Sequence, residues 1–145
     1  GTSVVEILQN CMIFNNGIHA FVADKEFRAE RTIHLRHGEK MIFGKDNDKG
    51  LVRDGFLVKA VTIGQDGYTL DDVLVHDAHT QSNFLHQQLA MMDGHDLPLA
   101  IGVIRDVEAP AYDEEVSRQV EEVRARKSFT CLRDMILAGD TWTVS

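Results

Sequence analysis

Glycines fall so often in the middle of this chain that no long element fits there. Gly38, Gly44, Gly50, Gly55, Gly64 and Gly67 leave only short apolar pieces between them: "KMIF", "LVRDGF" and "LVKAVTIG". Such pieces are rich in β-branched and aromatic residues and predict strands. The polar run "KDNDKG" and the tripeptide "QDG" between and after them have turn chemistry. The centre of the chain is therefore expected to be β, in short runs.

The flanks carry other patterns. "VVEIL" (Val4 to Leu8) is short and β-branched and predicts a strand, with "NNG" at Asn15 to Gly17 as the turn after it. In "NFLHQQLAMMDG" Leu85, Leu89 and Met92 recur at helical spacing, and Gly94 is placed to close that helix. "LAIGVI" is a continuous apolar run, as in a strand covered on both faces. The clearest helix follows. Asp113 is placed to cap it, acidic residues occupy its first turn, and Arg124, Arg126 and Lys127 lie near its end, as the helix dipole favours. Val116, Val120 and Val123 form its apolar stripe, and Glu114–Arg118 and Glu122–Arg126 are candidate ion pairs one turn apart. A last short helix is expected from about Ser128 to Gly139, with Phe129, Leu132 and Ile136 inward, and "TWTV" as an edge strand. Strands and helices are mixed without strict alternation, so the fold class is α+β. Nothing divides the chain, so residues 1–145 read as a single domain.

Composition excludes several roles. The 145 residues are 43% hydrophobic and 26% charged, ordinary for a globular chain with a real core. A formal net charge of −8 argues against a nucleic-acid partner and against a membrane surface held by basic residues. The longest apolar run, "LPLAIGVI", is too short to span a bilayer, and no secretion signal stands at the start. Two cysteines, Cys11 and Cys131, are too few for a disulfide scaffold, so a reducing, cytoplasmic setting is expected. The chain has no initial Met and enters "VVEIL" within three residues, which reads as a cut or processed piece.

Several apparent motifs fail on their own chemistry. "GEKMIFGK" has the outline of a phosphate loop, but five residues separate its glycines, its middle is apolar and Asp46 follows the lysine. "KDNDKG" sets Asp46 and Asp48 at calcium-loop spacing, yet Leu51 and Leu57 stand where the glycine and the bidentate glutamate belong. His76, His79 and His86 form a possible zinc cluster, but the strand-like "DDVLV" ahead of them breaks helical spacing, and exposed loop histidines are the better reading. Arg31, His34, Arg36 and His37 have the chemistry to grip a carboxylate or phosphate; a polar surface strand and turn is preferred. Cys131, inside the expected last helix, reads as a small hydrophobe. Cys11 closes the first expected strand, where sites on open α/β sheets are built. Packing, a reactive thiol and a metal ligand all remain open for it on the residues alone.

At "VVEILQNCMIFN" the sequence resembles the β subunit of 2-oxoacid:ferredoxin oxidoreductases, nearer to 2-oxoglutarate-type than to pyruvate-type members. "HGEKMIFGKDNDKGLVRDGF", "DDVLVHDAH" and "LPLAIGVIRDVEAPAYDE" extend the resemblance in the same order along nearly the whole chain. The resemblance implies a subunit that carries thiamine diphosphate, magnesium and a 4Fe–4S cluster. The enzyme would decarboxylate a 2-oxoacid, join the acyl group to coenzyme A and pass electrons to ferredoxin, with an α subunit as partner. Carried over by position, Cys11 would be one cluster ligand. No other cluster cysteine and no Gly-Asp-Gly thiamine motif is present; the nearest string, "GQDGY", lies in an expected turn. The implied identity is the C-terminal portion of the subunit, with no catalytic residue and no complete cofactor site, inactive alone and open to pairing as a homodimer. The alternative is a stand-alone, non-catalytic α+β domain for protein interaction or small-ligand binding.

Overall fold

The computed structural model describes residues 1–127 and 129–144. Its contacts gather into two compact units, one of Val4–Glu108 and one of Gly1–Ser3 with Ala109–Ser145. Helices and strands are mixed in the chain, which bears out the α+β class.

The Val4–Glu108 unit opens with a long stretch free of strand or helix, then two single-turn helices, α1 (Ala20–Ala23) and α2 (Arg28–Arg31). Strand β1 (Thr32–Leu35) pairs in parallel with β5 (Leu99–Gly102), Ile33 opposite Ala100 and Leu35 opposite Gly102. β2 (Ile42–Phe43), β3 (Lys49–Asp54) and β4 (Leu57–Thr62) form a separate antiparallel sheet in that order. The glycine punctuation is the reason the strands are short. Gly44 and Gly55 take positive φ at the two hairpin turns, with Asn47 also left-handed in "KDNDKG", so that run is a turn as expected. After a 3-10 turn (Leu70–Asp72), helix α3 (Phe84–Ala90) packs its Leu89 face inward.

Alternation explains the core. Ile33 and Leu35 point in from β1 while His34 points out, and they meet Met41, Phe43, Leu51, Leu89 and Met92 in one buried cluster. β5 is only half-buried rather than covered on both faces. "DDVLV" is not a strand: the 3-10 turn occupies its start, and Val75 makes an isolated bridge to Lys40.

The expected strand over Val4 to Leu8 is absent. None of residues 1–10 is in a strand, and Val4, Val5 and Ile7 are 79–90% exposed. A strand is defined by its hydrogen-bonded neighbour, and no other segment of the described chain offers one.

The second unit holds α4 (Tyr112–Arg126) and α5 (Leu132–Ile136). Ala111, not Asp113, stands at the α4 N-cap, and its backbone N–H donates to the Glu114 carboxylate. Glu115 replaces Glu114 as partner of Arg118, whereas Glu122–Arg126 pairs as expected, at 3.9 Å. No described residue of Ala109–Thr143 is buried, and the Val116, Val120 and Val123 stripe is open to solvent. Leu132 and Ile136 are exposed too, not inward, and the expected helix start at Ser128 lies outside the described residues. "TWTV" forms no strand.

Candidate functional site

Cys11 sits at the mouth of a tight turn rather than at the end of a strand. Its carbonyl accepts the Asn15 N–H at 3.0 Å, forming an isolated bridge. Asn10 staples the loop: its Oδ1 accepts the Gly17 N–H at 2.8 Å and its Nδ2 donates to Asn16 Oδ1 at 3.0 Å. Gly17 takes φ of +78°, open to glycine at little cost, which lets the chain turn back there.

Within this turn the Cys11 sulfur is exposed and free. The backbone N–H of Phe14, and after it those of Ile13 and Asn15, favour negative charge on the sulfur and hold its thiol below the ordinary range. Successive backbone donors around one atom form an anion-binding concavity, suited to a thiolate. Met12, Ile13 and Phe14 surround it with exposed apolar side chains. Cys131 is exposed at the α5 N-cap rather than buried, and its S–H donates to Asp134, which lowers that carboxyl's pKa.

The histidines form a second constellation, beyond the carboxyl ends of β1 and β5. His76 and His86 are buried, contrary to the expectation of exposed loop histidines; His79 is half-exposed. Arg105 donates to His86 Nδ1 at 2.9 Å, so His86 Nε2–H is the donor to the Asp77 carbonyl at 2.8 Å. His76 Nε2–H donates to the Val103 carbonyl at 2.9 Å, leaving a buried Nδ1 without a partner. His37 and His79 lie against each other with tilted planes, ring centroids 4.1 Å apart and 51° between them, and the Ala78 N–H donates to His37 Nδ1 at 3.2 Å. Each ring thus ties the 76–79 loop to another segment. The arrangement is a structural knot with its imidazoles committed to backbone groups. Among the described residues no three His, Cys, Asp or Glu side chains converge as metal ligands.

Arg31, His34, Arg36 and His37 do not act together. Arg31 ends α2, His34 faces out from β1, Arg36 is 3.8 Å from Glu39, and His37 joins the histidine knot. Sequence reasoning missed the cradle around Cys11, whose donors are backbone groups invisible in residue types. Asn10 and "NNG" were the available signals, since Asn and Gly favour such turns.

No family model and no solved structure matches the chain. Among curated proteins it is similar to the 2-oxoglutarate oxidoreductase subunit KorB of Mycobacterium tuberculosis (strain ATCC 25618 / H37Rv), 32% identical over 147 aligned residues. The match takes in 99% of this chain but only 39% of that protein. The chain is therefore homologous to that subunit along almost its whole length while spanning about two fifths of it.

Proposed function

We propose that this chain is the C-terminal portion of a 2-oxoglutarate-type 2-oxoacid:ferredoxin oxidoreductase β subunit, and that Cys11 supplies one thiolate to its 4Fe–4S cluster. The observation that carries the reading is the Cys11 turn, within a chain similar along 99% of its length to an oxidoreductase subunit. Backbone N–H groups aimed at a cysteine sulfur stabilise the thiolate, and hydrogen bonds to sulfur are among the levers that tune a cluster's potential. An exposed sulfur is also reachable by ligands supplied from elsewhere. The residues present fit one cluster ligand and no more; the remaining thiolates come from other parts of the subunit.

When bound, such a cluster accepts and passes on single electrons. This chain's own part is to favour the thiolate and position the sulfur: Asn10 locks the turn, and Phe14, Ile13 and Asn15 present their N–H groups. Thiamine diphosphate and magnesium belong to the same proposal for the whole enzyme, as do transfer to coenzyme A, an α subunit, ferredoxin and a cytoplasmic setting. No motif among the described residues fits the thiamine diphosphate: "GQDGY" is a turn with Asp66 and Gly67 at positive φ. No described helix is long and apolar enough to cross a membrane. The exposed Val4, Val5 and Ile7 are further support, since a segment so apolar suits pairing with a larger sheet or with a second copy.

Two measurements test the assignment. In the isolated chain, alkylation of Cys11 should reach half its limiting rate at a pH below that of an ordinary thiol, because a lowered pKa means thiolate at lower pH. Moving that midpoint upward by Asn10→Ala would tie it to the turn. In the full-length subunit, Cys11→Ala should abolish the iron–sulfur absorbance. Iron retained in full by that variant would remove Cys11 from the ligand set.

A further inference from the structure

We propose that the cavity beside Arg31 is a binding site for a small organic monocarboxylate. It is an open cleft of about 270 Å³ within the Val4–Glu108 unit, just below the size range of drug-sized ligand pockets. Its apolar lining comes from Phe43, Ala60, Val61 and Leu97, and its polar lining includes Arg31, Thr62 and His95. The proposal is independent of the redox reading and stands or falls without it.

Arg31 is the reason to expect an anion. It is half-buried, its guanidinium carbon lies 5.4 Å from the Phe27 ring centroid, and among the described residues it has no side-chain hydrogen bond or ion pair. A partly desolvated guanidinium with idle donors matches a carboxylate, which accepts two parallel N–H bonds. The neighbouring Glu30 is not available to fill that role. Its carboxylate accepts from Lys49 Nζ and from the Lys45 N–H at 2.9 Å, and Lys49 first, then Lys45, keeps its pKa low.

The remaining charges narrow the ligand class. Lys49 and Glu30 cancel, which leaves Arg31 and the exposed Asp96 on the lining. With Asp96 offsetting Arg31 the lining carries no net charge, so a second negative charge on the ligand would meet Asp96 with no cation to balance it, which disfavours a phosphate dianion. The apolar lining calls for a hydrocarbon body on that carboxylate.

The wall near His95 is rigidly made. Gly94 donates its N–H to the Leu97 carbonyl at 2.9 Å, at φ of +86°. A Cβ on Gly94 would come within 2.6 Å of Val22 Cγ1, so only glycine fits this turn. The turn presents His95 with its ring stacked on Phe21, centroids 4.5 Å apart and planes within 5°. Neither His95 ring nitrogen has a partner among the described residues, which leaves a donor for the ligand.

Benzoate is a suitable probe, with benzamide as its neutral isostere and phenyl phosphate as the dianion. Titrated into the isotope-labelled 145-residue chain, benzoate should shift the Thr62, Gly94 and His95 amides saturably, and benzamide should not. Arg31→Gln should weaken benzoate about tenfold or more, the scale of a lost charge-assisted pair. Arg31→Lys should recover part of that loss, and Arg36→Gln should bind as wild type. Equal binding of benzamide, tighter binding of phenyl phosphate, unsaturable shifts, or no change in Arg31→Gln would each overturn the site. Should Arg31→Gln lose its dispersed spectrum, His95→Leu, on the exposed wall, takes its place: it must weaken benzoate several-fold, and unchanged binding refutes the proposal.

Discussion

Val4 to Leu8 and Leu99–Gly102 are both short apolar runs, and they meet opposite fates. The second becomes β5 because β1 lies alongside in parallel register, Thr32 opposite Leu99 through Leu35 opposite Gly102. The first has the stronger β-branched character yet remains open, with Val4 90% exposed. Propensity amounts to about 1 kcal/mol across residue types, and the pairing partner decides. The comparison extends to α4, whose valine stripe has helical spacing yet remains 37–46% exposed. The chain spans 39% of the length of its relative.

If the paired region is where the stability lies, damage there should dominate. Leu51→Ala, at a fully buried position of β3 in the central cluster, should cost about 2–5 kcal/mol in urea unfolding. A loss below 1 kcal/mol, on the order of an exposed site, would erase the contrast. Next comes the histidine knot beyond β1 and β5. His86→Leu leaves the Asp77 carbonyl and the Arg105 donor unpartnered, at roughly 1–3 kcal/mol, read by the same unfolding curve. Restored stability in the double variant with Arg105→Met would locate the cost in that pair. The smallest effect belongs to the open region. Val5→Asp should change stability by no more than about 0.5 kcal/mol in this chain. In the full-length subunit the same substitution should be severely destabilising, and indifference there too would mean that this segment pairs with nothing.

Much of the centre was legible in advance. "LVRDGF" and "LVKAVTIG" became β3, its hairpin turn and β4, because glycine spacing and strand propensity are local properties. The helix over Tyr112–Arg126 was legible for the same reason: acidic start, basic end and periodicity all lie within one segment. The histidines were not legible. Whether His76 and His86 are buried depends on Val103, Asp77 and Arg105 closing around them, contacts that span up to 27 positions. Arg31 was recognised as an anion-binding type, but its grouping with Arg36 and His37 followed proximity in sequence, and the fold set it instead beside His95.

By itself the sequence determined the turns, the alternation that turns Ile33 and Leu35 inward, and the ordered motifs that relate the chain to an oxidoreductase subunit. These are set by backbone sterics and by side-chain period over a few residues. Only the tertiary structure decided that the histidines are spent on carbonyls of other segments and that Arg31 lines a cavity without a side-chain partner among the described residues. Hydrogen bonds and burial depend on which distant segments arrive, and residue identity carries no record of that.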